Sequence, residues 1–221
     1  MYFSKISLSK DKLALQRLNP YQQKSGYYFH QLMWDLFSEN NPDKKRDFLY
    51  RAEAFNHCPC FYVVSATPPC DNKGIWEIEY KEYSPKVCEN EQLYFRLRAN
   101  PRVCHSIDRD KKKYFDIVQN AWQQNIDSLK SGKVTRQDIM QEAGESWLSK
   151  KAIQHGFKVN SVIVENFCQE HFYKKQSRVA FSTLDFSGRI TVLDRELFLH
   201  GLIHGIGAAK SFGCGLLMVR R

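Results

Sequence analysis

The sequence predicts an α+β fold built from two tandem ferredoxin-like (RRM-like) domains. Two observations predict it: apolar residues switch between helix and strand spacing along the chain, and the expected order is β-α-β-β, a linker, then β-α-β-β-α-β. The 221 residues suit two small domains, and a hydrophobic content of 43% is enough for packed cores. We expect the N-terminal domain over residues 1–88 and the C-terminal domain over residues 92–221.

The first domain is expected to begin with a strand and an amphipathic helix. The strand is predicted at Tyr2–Leu8. The helix is predicted to begin near Tyr27, where Ser25 can cap it, because apolar residues recur in steps of three and four. These apolar residues are Phe29, Leu32, Met33, Leu36 and Phe37.

The rest of the first domain is expected to hold a short helix and two strands. Asn41-Pro42 should end the first helix, and a second helix is predicted over residues 43–51. Strands are predicted at Phe61–Ser65 and Ile75–Tyr80. Residues 84–92 have the composition of a turn or linker.

The second domain is expected to open with a strand at Leu93–Arg98, which carries Arg96 and Arg98 on one face. Helices are predicted around Tyr114–Leu129 and Glu145–His155. Ser187-Gly188 is a tight-turn signal between two later strands. The remaining elements are strands at Val162–Phe167, Val179–Phe186 and Ile190–Leu193, a helix from Asp194 to about His204, and a last strand at Leu216–Val219.

Positive charge is concentrated in the second half of the chain. The formal net charge is +9. Residues 1–90 hold 12 Lys+Arg and 11 Asp+Glu, a difference of +1, whereas residues 91–221 hold 21 and 13, a difference of +8. This asymmetry indicates a polyanionic partner that binds mainly the second half. Charge alone leaves open a merely soluble basic protein.

Membrane, secreted and metal-binding classes are disfavoured. No apolar run approaches the roughly 20 residues of a membrane helix, and the N-terminus lacks the apolar segment of a signal peptide, so we expect a cytoplasmic protein. The seven cysteines are expected as free thiols. His57-Cys58-Pro59-Cys60 lacks the spacing of a structural zinc site and has no matching second pair, so we expect no metal and no cofactor.

A glycine-rich segment lies between the last predicted helix and the last strand. Four glycines occur within Gly205–Gly215, together with Lys210. Glycines allow backbone N–H groups to approach a phosphate closely, and the lysine adds charge. The segment is neither a dinucleotide fingerprint nor a Walker A loop, because it follows a helix and lacks the required spacing. A phosphate-binding loop and a purely structural connection are equally compatible with this sequence.

His30 is the histidine best placed for chemistry. At helical spacing, Tyr27, His30 and Trp34 lie beside the apolar stripe of the first helix. Imidazole can give or take a proton near neutral pH, and RNA carries its own nucleophile in the 2′-hydroxyl. A metal-free site can therefore cut RNA by proton transfer and charge stabilisation. From the residues alone, a half-buried structural histidine is the stronger interpretation.

The sequence also contains a histidine pair and a basic cluster that could bind ligands. His200 and His204 have metal-ligand spacing, but Gly201 stands where an HExxH motif has glutamate, so a solvated helix face is favoured. A basic cluster at Lys174–Arg178, preceded by Phe172-Tyr173, is expected at the tip of a hairpin. Such a tip can contact phosphates and stack on a base, although a solvated turn has the same composition.

Four segments resemble the CasE family, the CRISPR pre-crRNA endoribonucleases of type I-E Cascade. They are Met1–Lys5, His30–Phe37, Tyr94–Pro101 and Gly205–Leu217. The resemblance runs from the first strand to the last, whereas residues 102–146 form a longer region that aligns poorly. It implies two ferredoxin-like domains and metal-independent cleavage at the base of the CRISPR repeat hairpin, leaving a 2′,3′-cyclic phosphate. It also implies that the enzyme stays on its product as a Cascade subunit.

The resemblance also implies residue roles. The catalytic histidine of the family corresponds to His30, and its tyrosine partner corresponds to Tyr27, with Tyr21 and Tyr28 as alternatives. The glycine loop corresponds to an RNA-contacting loop near the cleavage site, and the basic cluster corresponds by position to a hairpin that enters the RNA major groove. The predicted RNA-binding residues are Gly205, Gly207, Lys210, Ser211, Gly213, Gly215, Lys174, Lys175, Arg178, Arg96 and Arg98.

Two other functions stay open at this point. One is a non-catalytic RNA-binding subunit of the same complex, with the same two domains. The other is an enzyme that binds a nucleotide through the glycine loop.

Overall fold

The structure contains two four-stranded antiparallel sheets and a separate two-stranded hairpin. This architecture is the tandem ferredoxin-like fold that the sequence predicts. The computed structural model describes residues 1–11, 14, 27–37, 46–55, 58–108, 111–174 and 177–221. Among these residues, no helix is long and apolar enough to cross a membrane.

The first sheet has the strand order of a ferredoxin-like domain, β2-β3-β1-β4. A loop at residues 66–75 stands where a second helix would lie in the full βαββαβ unit. The predicted first strand and the predicted start of the first helix are confirmed. The elements are β1 (Tyr2–Leu8), α1 (Tyr27–Phe37), β2 (Phe48–Phe55), β3 (Cys58–Ser65) and β4 (Trp76–Glu82).

The helix predicted over residues 43–51 is wrong from Phe48 onwards, because β2 occupies this part of the chain. Phe48 and Tyr50 pack in the core beneath α1, while Leu49 packs on the opposite face of the sheet against Leu216. A strand that is buried on both faces shows a continuous apolar run instead of alternation. Its sequence pattern therefore does not distinguish it from a buried helix.

The second domain begins with the predicted strand that carries Arg96 and Arg98, and continues into a region where the predicted start of a helix is wrong. The residues predicted as the start of a helix at Tyr114 belong to a strand, and the helix begins after Asp116, whose carboxylate accepts a hydrogen bond from the backbone N–H of Gln119. The elements are β5 (Gln92–Ala99), β6 (Arg102–Asp108), β7 (Lys111–Asp116), α2 (Ile117–Gln124), α3 (Ile126–Lys130) and α4 (Arg136–Gln154).

Two long strands form the centre and one edge of the second sheet, whose order is β10-β5-β9-β8. The remaining elements are β8 (Phe157–Lys174), β9 (Ser177–Val192), α5 (Arg195–His204) and β10 (Leu217–Arg220). The predicted turn at Ser187-Gly188 is wrong, because β9 runs through it without a break. Gly188 is needed for close backbone approach, since a Cβ there would collide with the carbonyl of Ser161 on β8.

A buried ion network joins the two domains. Arg51 of β2 is 1% exposed, and its guanidinium lies 2.6 Å from Glu53 and 3.1 Å from Asp185 of β9. Arg98 of β5 donates to both oxygens of Asp185, at 3.0 and 2.9 Å, and to the backbone oxygen of Ala52 at 3.0 Å. Because this network is removed from water, its partners depend strongly on one another.

The pKa of Asp185 gives this network a pH dependence. Burial raises that pKa, but the hydrogen bonds from Arg98 and the charges of Arg51 and Arg98 outweigh burial and hold it below its usual value. A carboxyl whose pKa is lower in the folded state stabilises the fold above the unfolded pKa, near 4. That contribution disappears as the pH falls through the lower, folded-state pKa.

We expect Asp185→Asn to destabilise the protein by roughly 3–5 kcal/mol at pH 7, because buried Arg51 and partly buried Arg98 lose their shared carboxylate. The difference from the wild type should begin to shrink below about pH 4, where the carboxyl of the unfolded chain becomes protonated, and should disappear as the pH falls through the lower pKa of the folded state. Urea unfolding at pH 7 and at pH 3 measures both effects. Asp127→Asn, which changes an exposed carboxylate on α3, is the matched control. Equal stability of Asp185→Asn and wild type at pH 7 would contradict this role.

Candidate active site

His30 lies half-buried on α1 and faces the glycine-rich segment of the second domain. Its Nδ1 is 2.9 Å from the backbone oxygen of Ser211. A carbonyl oxygen can only accept a hydrogen bond, so Nδ1 carries a hydrogen and donates it. In the neutral ring, Nε2 then holds the lone pair that can accept a proton. The contact with Ser211 thus fixes both the orientation of the imidazole and its tautomer.

Ser211 is held by three side chains of the first domain. Its carbonyl oxygen accepts a hydrogen bond from the Tyr50 hydroxyl at 3.2 Å as well as the bond from His30. Its Oγ lies 3.1 Å from Nη1 of Arg46, which donates to it. Burial raises the pKa of the Tyr50 phenol, so the hydroxyl stays protonated and remains a donor. The site is therefore assembled from both domains.

The glycine-rich segment is rigid because its backbone is tied to neighbouring elements. Gly215 donates to the carbonyl of Arg98 at 2.7 Å and accepts from the N–H of Ile206 at 2.9 Å. Gly213 has φ of 83°, a left-handed conformation that favours glycine, and its missing side chain leaves room for the Tyr50 ring. Gly213 and Gly215 therefore have a structural role, which explains how Ser211 is presented to His30.

An aromatic cavity of about 240 Å³ lies beside His30. The ring of Phe212 is 5.3 Å from the His30 ring and 5.4 Å from the ring of Phe181 on β9. Phe29 of α1 also lines the cavity, and its polar lining residues include Arg98, Asp185 and Glu170. A cavity of this kind suits a planar group that stacks on aromatic rings and hydrogen-bonds at its edge.

Lys210 precedes Ser211 in the same segment. Its Nζ donates to the backbone oxygen of His204 at 2.7 Å. Burial lowers the pKa of Lys210, and the positive charges of Arg46 and Lys151 lower it further. The lysine is therefore held among other cations, in surroundings that favour an anion.

The structure describes the side chain of only one of the three candidate tyrosine partners of His30. Tyr27 is the first residue of α1, and its side chain lies outside the described part of the chain, as does all of Tyr21. Tyr28 is buried in the first core against Phe29. Sequence reasoning missed Tyr50, because its segment was predicted as a helix.

The two arginines of β5 differ in solvent exposure and in their contacts with the first domain. Arg96 is 61% exposed and lies 3.9 Å from Glu53. Arg98, also predicted as an RNA ligand, is 29% exposed and donates hydrogen bonds to Asp185 and to the backbone oxygen of Ala52. The alternation of the strand places both on one face, as predicted, but proximity to the first domain turns Arg98 into an interdomain contact.

The predicted basic hairpin is formed by the far ends of β8 and β9. Their pairing continues to Tyr173 opposite Arg178 and Lys174 opposite Ser177. Lys175 lies outside the described residues, and the side chains of Lys174 and Arg178 are not described either. The position of these residues at the end of the ribbon agrees with the predicted hairpin.

The histidine pair of α5 offers no metal site within the described part of the chain. His200 and His204 have ring centroids 4.3 Å apart and are both exposed. No group of three or more His, Cys, Asp or Glu side chains is placed to hold a metal ion among the residues that the structure covers. The side chains of His57 and Cys58 fall outside that coverage.

Comparisons with known proteins agree on one family. A family model described as "CRISPR associated protein" matches residues 1–221. "CRISPR system Cascade subunit CasE" of Escherichia coli (strain K12) is 31% identical over 194 residues, covering 86% of this chain and 89% of that protein.

Solved structures match the fold over the whole chain. "CRISPR endoribonuclease Cse3 bound to 19 nt RNA" has a TM-score of 0.73 at 20% identity and covers 100% of both chains. "CRISPR-associated protein Cas6e from Escherichia coli str. K-12" has a TM-score of 0.65 at 23% identity and covers 99% of this chain and 98% of that one.

We expect Tyr50→Phe to cost about 1 kcal/mol of stability, the usual contribution of one hydrogen bond. Phenylalanine keeps the ring in the core but loses the bond to the Ser211 carbonyl. Urea unfolding measures the loss, and Tyr94→Phe, at a tyrosine that is 49% exposed, is the control with little expected change. If both variants match the wild type, the Tyr50 bond does not help to hold Ser211.

Proposed function

The chain belongs to the family of CRISPR-associated proteins that includes the Cascade subunit CasE of Escherichia coli, and on that premise we propose that it is an endoribonuclease. It binds the CRISPR repeat hairpin, cleaves pre-crRNA at the hairpin base and remains on the product as a Cascade subunit. The observation that carries this proposal is the 2.9 Å contact from His30 Nδ1 to the Ser211 carbonyl, which prepares Nε2 for proton transfer.

The proposed reaction uses the nucleophile of the RNA itself. The 2′-oxygen loses its proton and attacks the adjacent phosphorus, the bond from phosphorus to the 5′-oxygen breaks, and that oxygen takes up a proton. The products are a 2′,3′-cyclic phosphate and a 5′-hydroxyl. Nε2 of His30 exchanges one of these two protons, as general base at the 2′-oxygen or general acid at the 5′-oxygen. Tyr27, one turn before His30, is the proposed partner.

Charge stabilisation comes from groups on both sides of Ser211. Arg46 lies against its side chain, and Lys210 precedes it in the chain. Negative charge increases on the phosphate oxygens as the 2′-oxygen attacks, so cations placed beforehand favour the transition state over the ground state. The N–H groups of Gly207 and Gly213 are proposed as further donors, whereas Gly205 and Gly215, whose N–H groups donate to the carbonyls of Gly201 and Arg98, shape the backbone of the segment.

RNA binding is proposed for three surfaces around this site. The tip of the β8–β9 ribbon, with Lys174, Lys175 and Arg178, contacts phosphates of the hairpin groove. Arg96 on β5 is exposed enough to join this contact. The base next to the scissile phosphate stacks on the aromatic rings of the cavity beside Phe212, an interaction of about 1–3 kcal/mol.

We also propose that the boundary between the N-terminal and C-terminal domains lies between residues 88 and 92.

We expect His30→Ala to lower the rate of repeat-RNA cleavage by about a thousandfold, within the range that general acid–base groups contribute. Binding of the repeat hairpin should change little, because the proposed phosphate contacts lie elsewhere. A denaturing gel with labelled repeat RNA measures cleavage, and a filter-binding assay measures affinity. His200→Ala, at an exposed histidine of α5, is the matched control. Normal product formation by His30→Ala would contradict the role of His30.

The same gel separates the enzyme from a non-catalytic RNA-binding subunit. Wild-type protein that binds repeat RNA tightly but never shortens it would favour the second function. A nucleotide-binding enzyme would instead bind a nucleoside triphosphate and leave hairpin RNA free.

We expect cleavage to continue in excess EDTA, because the 2′-hydroxyl reaction needs only proton transfer and charge stabilisation from the residues named above. The measurement compares the cleavage rate without EDTA and with EDTA in large excess over any trace metal. A parallel reaction supplemented with Mg²⁺ controls for effects on RNA folding. Activity that EDTA removes and Mg²⁺ restores would show that a metal ion takes part.

A further inference from the structure

A second groove lies beside the glycine-rich segment, and His30 is not among its lining residues. It encloses about 580 Å³ between α4, the β6–β7 hairpin and the backbone of Gly205–Lys210. Its polar lining is dominated by basic and aromatic side chains, namely Arg102, Tyr114, Lys150, Lys151, His155 and Lys210. No Asp or Glu of the described part of the chain lines this groove.

The basic groups of the groove repel one another and have no compensating anion among the described lining residues. Burial lowers the pKa of His155, and the charges of Lys210, Lys151 and His200 lower it further. Lys210 is affected in the same way by burial, Arg46 and Lys151. Like charges held together in this manner are stabilised when an anion binds between them.

The glycine-rich segment lines both the groove and the cavity beside His30. Phe212 and Gly213 line the cavity beside His30, whereas Gly205, Gly207 and Lys210 line the groove. Lys210, which lines the groove, and Ser211, whose carbonyl binds His30, are neighbours in sequence. A strand that crosses the segment at Ser211 therefore passes from His30 directly to Lys210.

The outer wall of the groove carries an aromatic platform. Tyr114 is 53% exposed, and the guanidinium of Arg102 lies 4.2 Å above its ring centroid. Exposed rings and guanidinium planes stack on bases without regard to sequence. Both residues belong to the β6–β7 hairpin, within residues 102–146, which align poorly with the CasE family.

We propose that this groove binds the single-stranded RNA downstream of the scissile phosphate. This inference rests on the proposed function, which places the hairpin on the side of His30 and the β8–β9 ribbon. Because cleavage occurs at the hairpin base, the strand beyond the scissile phosphate must leave the stem, and the groove begins where that strand passes Lys210. Its lysines contact the phosphates, and Tyr114 stacks on a base.

The full chain is tested with two repeat RNAs that carry a 2′-deoxy group at the scissile nucleotide, so that neither is cleaved. One ends at the cleavage site, and the other continues downstream for ten nucleotides or so, a length typical of single-strand binding sites. Fluorescence anisotropy over a range of salt concentrations measures the affinity of each. Wild-type protein should bind the extended RNA more tightly than the short one.

The double variant Lys150→Ala/Lys151→Ala should abolish that advantage, a loss of roughly tenfold for two phosphate contacts at physiological salt. The slope of log K against log salt for the extended RNA should become shallower by about 1.4, or 0.7 for each contact to a single strand. Lys10→Ala/Lys81→Ala removes two exposed lysines of the first domain and is the matched control. Tyr114→Ala should reduce the same advantage without changing the salt slope.

Three results would overturn the proposal. The double variant could keep the full advantage of the extended RNA, as it would if the groove held an acidic protein segment instead. It could weaken both RNAs equally, which would place the hairpin stem in the groove. An upstream extension could give the advantage in place of the downstream one. In each case cleavage of unmodified repeat RNA by the wild type would leave the proposed function intact, whereas its absence would remove both.

Discussion

The architecture depends on one buried carboxylate, Asp185, shared by Arg51 of the first domain and Arg98 of the second. Each group alone would be costly to remove from water, and only the complete set makes burial acceptable. The small apolar cluster of Leu49, Val64 and Leu216 lies at the same junction, so non-directional packing and directional ion pairing act together. Packing alone tolerates small rotations, whereas the paired arginines restrict the domains to one arrangement.

That arrangement matters because neither domain holds the candidate site by itself. α1 provides His30, and the second domain provides the Ser211 carbonyl that fixes its ring. Tyr50 and Arg46 reach across to the same residue, so the first domain both uses and supports the segment that orients its histidine. A small change in interdomain angle would therefore alter hydrogen bonds at the imidazole before it altered either core.

Sequence reasoning succeeded where local pattern reflects local structure. The amphipathic spacing of α1 and the alternation of β5 each have one solvent-facing side, so their positions follow from periodicity. It failed at β2, which packs against protein on both faces, and at Gly188, where the backbone of β8 approaches closely. Periodicity within one segment does not reveal either kind of packing. The roles of Tyr50 and Arg98 depend on contacts between distant segments, which spacing within one segment does not contain. His30 itself needed the family resemblance to be chosen over a structural histidine.

The pairing of His30 with Ser211 also has a consequence for the order of events during synthesis. The two residues are 181 positions apart in the chain, and the intervening residues include the whole second sheet except β10. While a ribosome is still adding the second domain, α1 can fold with its imidazole lacking the carbonyl that sets its tautomer. An incomplete chain would thus have no oriented histidine, and cutting ability would arise only after the last segments are released and docked.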